Sequence, residues 1–149
     1  MSQVALALPR EVKLQWTELR MAIKVSLANA NHAIKSVATP IFDEQVFDAQ
    51  FSDALASLAS QVQNAHALEE DLVFPLLESL GTAPAKRLLR GYRDQHTSIE
   101  LRLNHAIERT RIMKRKGIDL ASLRPLLSAY KDLKSEIIAN MSADEALLA

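Results

Sequence analysis

Apolar residues in this chain recur every three or four positions, and nowhere do β-branched and polar residues alternate over the length of a strand. That spacing matches the turn of an α-helix and dictates helices that pack through apolar stripes. Only three glycines and five prolines interrupt the 149 residues. Breaks are expected in "SVATPIFDEQ" around Pro40, in "SLGTAPAK" around Gly81 and Pro84, and in "KRKGIDLASLRP" around Gly117 and Pro125. The spacing predicts four long helices: Pro9 to Val37, Glu44 to Leu80, Pro84 to Lys116 and Leu120 to Leu147. Pro75 falls inside the second and should kink it or loosen its last turn. Four helices with short connections imply an all-α fold, an antiparallel up-down four-helix bundle, with residues 1–149 as one domain.

Charge and composition remove several classes of function. Eighteen basic and eighteen acidic side chains leave no net field to collect nucleic acid or an anionic membrane surface. No apolar run approaches the ~18 residues of a membrane span. The start "MSQVALALPREVK" lacks the basic stretch and small-residue cleavage site of a secretory signal, so a cytoplasmic protein is expected. Without cysteine there are no disulfides, thiolate nucleophiles or thiolate-held metals. Any metal must sit on nitrogen and oxygen.

On a helical wheel the second helix sets Phe51, Leu55, Leu58, Val62, Val73 and Leu77 on one stripe, with His66 close to its middle. Glu69 and Glu70 flank His66 at about 60° or less on either side, while Asp53 and Asp71 point away. The third helix repeats the arrangement: His96 lies within the stripe of Leu89, Tyr92, Ile99 and Leu103, Glu100 sits at the edge, and His105 faces the opposite way. On the fourth, Asp144 lies near the centre of the stripe of Leu126, Tyr130, Leu133 and Ile137, with Asn140 at its edge. An inward histidine–carboxylate pair needs a neutralising partner, and a metal would supply one. The basic run Arg109 to Gly117 reads as a helix C-terminus favoured by its dipole.

These residues resemble the hemerythrin-like family, the HHE cation-binding domain, over most of the chain from about Asn29. In "HALEEDLVFPLL", His66, Glu70, Phe74 and Pro75 match the family's H-x-x-x-E followed by F-P. "DQHTSIELRL" is similar to its E/D-x-H-x-x-L/I setting at His96, and "NMSADEALL" to its H-x-x-x-E-E ending, with Asn140 where histidine is expected and Asp144 at the carboxylate. The resemblance implies a bundle holding a carboxylate-bridged, non-haem di-iron centre that binds oxygen or senses iron, oxygen or nitric oxide. It carries over His66, Glu70, His96 and Asp144 as metal ligands. The first helix offers only His32, in "ANANHAIKSV", roughly opposite the stripe of Trp16, Leu19, Ile23, Leu27 and Ala30 and on the side of Met21 and Val25. Aligned to the family motif, Asn31 takes the ligand position.

The remaining set meets the count for one two-histidine, one-or-two-carboxylate site suited to iron(II) or manganese, and under-supplies a di-iron centre. Glu69 or Glu100 would add a bridging or outer oxygen, and His32 and Asn140 are lesser candidates. No substrate, reductase partner or channel is recognisable, so a binding protein is expected rather than an enzyme: a sensor, carrier or store whose partners are a metal ion and a diatomic gas. The alternative is a metal-free hemerythrin-like bundle acting as an interaction or regulatory module, for instance as a homodimer. In that reading His66 and His96 are core histidines bonded to Glu70, Asp144 or Asn140.

Overall fold

A computed structural model of the chain describes residues 8–37 and 42–148. The described residues are all helix and turn: α1 (Arg10–Ser36), α2 (Glu44–Leu68), α3 (Phe74–Leu80), α4 (Ala83–Lys116) and α5 (Leu120–Leu148). None of these helices is long and apolar enough to cross a membrane. The expected break at Pro40 lies outside the described residues. Local chemistry sets the other ends. Asp43 caps α2, its Oδ1 accepting from the amides of Gln45 at 2.9 Å and Val46 at 3.1 Å. Gly81 ends α3 in the left-handed region at φ 64°, where a side chain would be strained. Thr82 follows at once as the cap of α4, accepting from the Ala85 amide at 3.3 Å, so α3 and α4 are joined by two residues.

Two sequence expectations need correction. Pro125 breaks nothing: it lies inside α5, in the second turn, where its missing N–H deprives only the carbonyl of Ala121. The second predicted helix changes its winding part-way. Residues Glu69–Val73 form a π turn between α2 and α3, with the Phe74 N–H donating to the carbonyl of Glu69 five residues back. Pro75 accounts for it. In a regular α-helix its ring would strike the carbonyl of Asp71, and a wider turn relieves that clash.

Helix α1 packs on α2 and α5, α4 packs on the same two, and α3 lies against α4, so the long helices close around one interior. The stripes read from the sequence are what they bury. The larger apolar cluster is built around Leu27, Phe51, Leu58, Leu103, Met113 and Leu133. The smaller holds Trp16, Phe74, Leu77, Leu89, Tyr92 and Leu147. Leu58 is fully buried and Asp43 exposed, so Leu58→Ala should cost about 2–5 kcal/mol and Asp43→Ala only about 1 kcal/mol in urea denaturation. A Leu58→Ala loss no larger than that of the cap would contradict the packing described here.

Candidate metal centre

On every long helix the change from one apolar cluster to the other falls at a buried polar residue. Arg20 lies between Trp16 and Ile23 on α1, His66 between Ala65 and Leu68 on α2, His96 between Tyr92 and Ile99 on α4, and Asp144 between Met141 and Leu147 on α5. The π turn adds Glu69, 1% exposed. A polar layer therefore crosses the core.

Glu69 is its centre. The indole Nε1 of Trp16 donates to Glu69 Oε1 at 3.1 Å, and His96 Nε2 lies 2.5 Å from Glu69 Oε2. The other ring nitrogen of His96 faces Glu70 Oε1 at 3.3 Å. The His66 ring stacks on that of His96 with centroids 3.7 Å apart and planes 9° from parallel, and Phe74 covers His96 at 5.1 Å. One ligand atom from each of His66, Glu69 and His96 falls within 4.8 Å of the others, and all three residues are buried. Outside His96 lies a cleft of about 590 Å³ whose lining includes Glu70, Glu78, Arg93 and Glu100. On the inner side Arg20 forms an ion pair with Glu145.

Burial sets the protonation of this layer. It pulls His66 down to about 4, and the neighbouring His96 adds to the fall, so His66 is neutral and able to donate a lone pair. Burial also opposes a charge on His96, but the hydrogen bond and charge of Glu69, then those of Glu70, outweigh it and raise His96 above its ordinary value. The Asp144 carboxyl is pushed up to about 9, by burial first and by the charge of Glu69 second. It keeps a proton at neutral pH, which its hydrogen bond to Glu69 favours. Burial raises Tyr92 too, and the charge of Asp144 contributes.

The structure places the sequence candidates unequally. His66, His96 and Asp144 point inward as the wheel indicates. Glu70, expected as the inward carboxylate, has a side chain 56% exposed and meets the layer only through His96 Nδ1. Glu69, read as an auxiliary oxygen, takes the inner position: about five turns after Phe51 it falls on the same buried line of the helix, with Glu70 about 100° further round. Glu100 is exposed, with Oε1 3.8 Å from His66 Nδ1, beyond hydrogen-bond reach. His32 is exposed on α1 beside Gln50 and Asp53 of α2, away from the layer. Asn140 is buried and donates Nδ2 to Gln95 Oε1 at 2.9 Å. Asn31 accepts from the hydroxyl of Tyr130 at 3.0 Å, and His105 is exposed, accepting from Arg109. Sequence reasoning missed Arg20 and the indole N–H of Trp16. A charged residue one turn after Trp16 and three before Ile23, within an apolar stripe, is the signal that marks Arg20.

No protein-family model matches the chain, and neither does any curated protein or solved structure. The chemistry of the layer must stand by itself. His66 Nδ1 is buried without a hydrogen-bond partner among the described residues. Such an atom costs its desolvation unless something pairs with it. Two imidazoles, a buried carboxylate and a second carboxyl beside it form a donor set that fits a borderline divalent cation.

The protonation pattern predicts a pH profile for the metal-free protein. The unfolded Asp144 releases its proton near 3.8 and the folded one near 9, so its contribution falls as pH rises between those values. The contribution of His96 is complete below 6.5 and is lost as pH rises through its elevated folded value. His66 acts only in acid, where stability falls as pH drops from 6.5 towards 4. The melting temperature should therefore decline from pH 6.5 to 9, and Asp144→Asn should flatten that decline. An unchanged slope in the variant would show that Asp144 is not held protonated.

Proposed function

We propose that this chain is a metal-binding bundle of the hemerythrin-like type, with its helices in antiparallel up-down order, that carries, stores or senses through a non-haem iron or manganese ion in its core. The observation that supports this reading most is the buried trio of His66, Glu69 and His96, with ligand atoms within 4.8 Å of one another. Asp144 neighbours Glu69 in the same layer. Two histidines with one or two carboxylates are a set found at non-haem iron(II) centres, one that zinc also accepts, and no thiolate competes. When bound, such an ion supplies open coordination positions that suit oxygen or nitric oxide. Phe74 and the smaller apolar cluster exclude water from one side, and Glu70 holds the outer nitrogen of His96, which orients the ring.

Binding would exchange protons for metal. His66 is already neutral, whereas Asp144 holds a proton that a dication displaces, and Glu69 and Glu70 favour the charged form of His96 that binding must discharge. One observation favours a second reading, a metal-free relative serving as an interaction or regulatory module: both oxygens of Glu69 and both ring nitrogens of His96 already have protein partners.

Thermal melting under anaerobic conditions separates the two. A hundredfold excess of iron(II) or manganese(II) over Kd should stabilise the fold by about 2.7 kcal/mol, a rise of roughly 5–10 °C. The gain should increase from pH 6 to 8 as the displaced protons become easier to lose. His66→Ala should abolish it and His32→Ala leave it intact. A midpoint indifferent to both metals would leave the metal-free reading in possession.

A further inference from the structure

The outer face of α1 carries a pattern that the metal centre does not use. From Glu11 to Lys35, residues at alternating spacings of three and four share one line along the helix, and every one of them is exposed. That spacing is the seam of a coiled coil. Its apolar members are large and uncovered: Leu14 is 53% exposed, Met21 56% and Val25 57%. Among the described residues no strip of comparable length recurs in the other exposed large apolar residues, which are scattered singly over α2 to α5 and the π turn.

The order along the seam is self-complementary when reversed. With a second copy running antiparallel about a two-fold axis midway between Met21 and Val25, Met21 of one copy faces Val25 of the other at the centre. Leu14 then faces the ring of His32, and Glu18 faces Ala28. At both ends Glu11 meets Lys35. In a parallel arrangement the same seam would set Glu11 on Glu11, Glu18 on Glu18 and Lys35 on Lys35, each a repulsion. Neither Glu11, Glu18 nor Lys35 has a salt-bridge partner among the described residues, so these charges are available. Grooves run along both sides of the ridge. One, of about 330 Å³, separates α1 from α5 and includes Ala28 and Ile138, and the other, of about 300 Å³, separates α1 from α2 and includes His32 and Gln50. They offer holes for the knobs of a facing helix, and the seam from Glu11 to Lys35 is about 36 Å long.

We propose that this chain forms a two-fold symmetric homodimer through α1, with the two copies of that helix antiparallel and in register on the Met21–Val25 layer. The metal centre lies on the opposite side of α1, so the inference does not depend on it.

Sedimentation equilibrium of the full chain over about a hundredfold range of concentration should show reversible dimerisation. Met21→Glu, at an exposed position that leaves the fold intact by circular dichroism, should weaken it at least about tenfold. Glu11→Lys should weaken it by up to about fivefold at low salt, and Glu11→Lys combined with Lys35→Glu should restore it. Because the chain has no cysteine, orientation can be read directly. Glu11→Cys with Lys35→Cys should join two chains through a short thiol-specific cross-linker, a span that one helix cannot close on itself, whereas Glu11→Cys alone should not. A monomer at every concentration, a charge swap that fails to restore association, or efficient cross-linking of Glu11→Cys alone would overturn the proposal.

Discussion

A carboxylate with 1% of its surface exposed must be neutralised, and Glu69 meets that demand from three sides. Trp16 supplies an indole N–H, His96 a ring nitrogen, and Asp144 a carboxyl hydrogen bond. These come from α1, α4 and α5, while Glu69 itself follows α2. One side chain thus ties together all the long helices, and sliding any of them by a turn would leave a buried charge without its partner. Apolar stripes tolerate such slips because one leucine replaces another. The polar layer does not, and it sets the register that the hydrophobic packing alone leaves loose.

The arrangement has its origin in the backbone. Pro75 cannot continue a regular α-helix, and the π turn that absorbs it begins at Glu69. The line of α2 that carries Phe51 and Leu58 also carries Glu69 inward and leaves Glu70 at its edge, so that His96 is held between one buried and one exposed carboxylate.

Much of this was legible in the sequence. Helix spans followed from apolar spacing and from scarce glycine and proline, and the structure moves their ends by one residue or so. The inward direction of His66, His96 and Asp144 followed from the same periodicity. The choice of Glu69 over Glu70 was legible there too, since Glu69 falls on the line of Phe51 and Glu70 about 100° away at the edge of the stripe, but the motif resemblance pointed to Glu70. Pro75 announced a disturbance without saying which way the backbone would turn. The position of Arg20 was visible within its stripe, yet its pairing with Glu145 depends on how closely α1 and α5 approach, which no local pattern encodes.

Dividing the core has a dynamic consequence. A hydrophobic interior without interruption melts as one cooperative unit, but here the smaller cluster of Trp16, Phe74, Leu77, Leu89 and Leu147 is separated from the larger by polar side chains. That end of the molecule, which includes the two-residue link at Gly81–Thr82, is built to open as a partial unfolding unit of its own. Such opening would wet the layer while the larger cluster keeps the helices assembled. On the metal-binding reading, it would give a small ion a way in and out of a closed protein without any permanent channel.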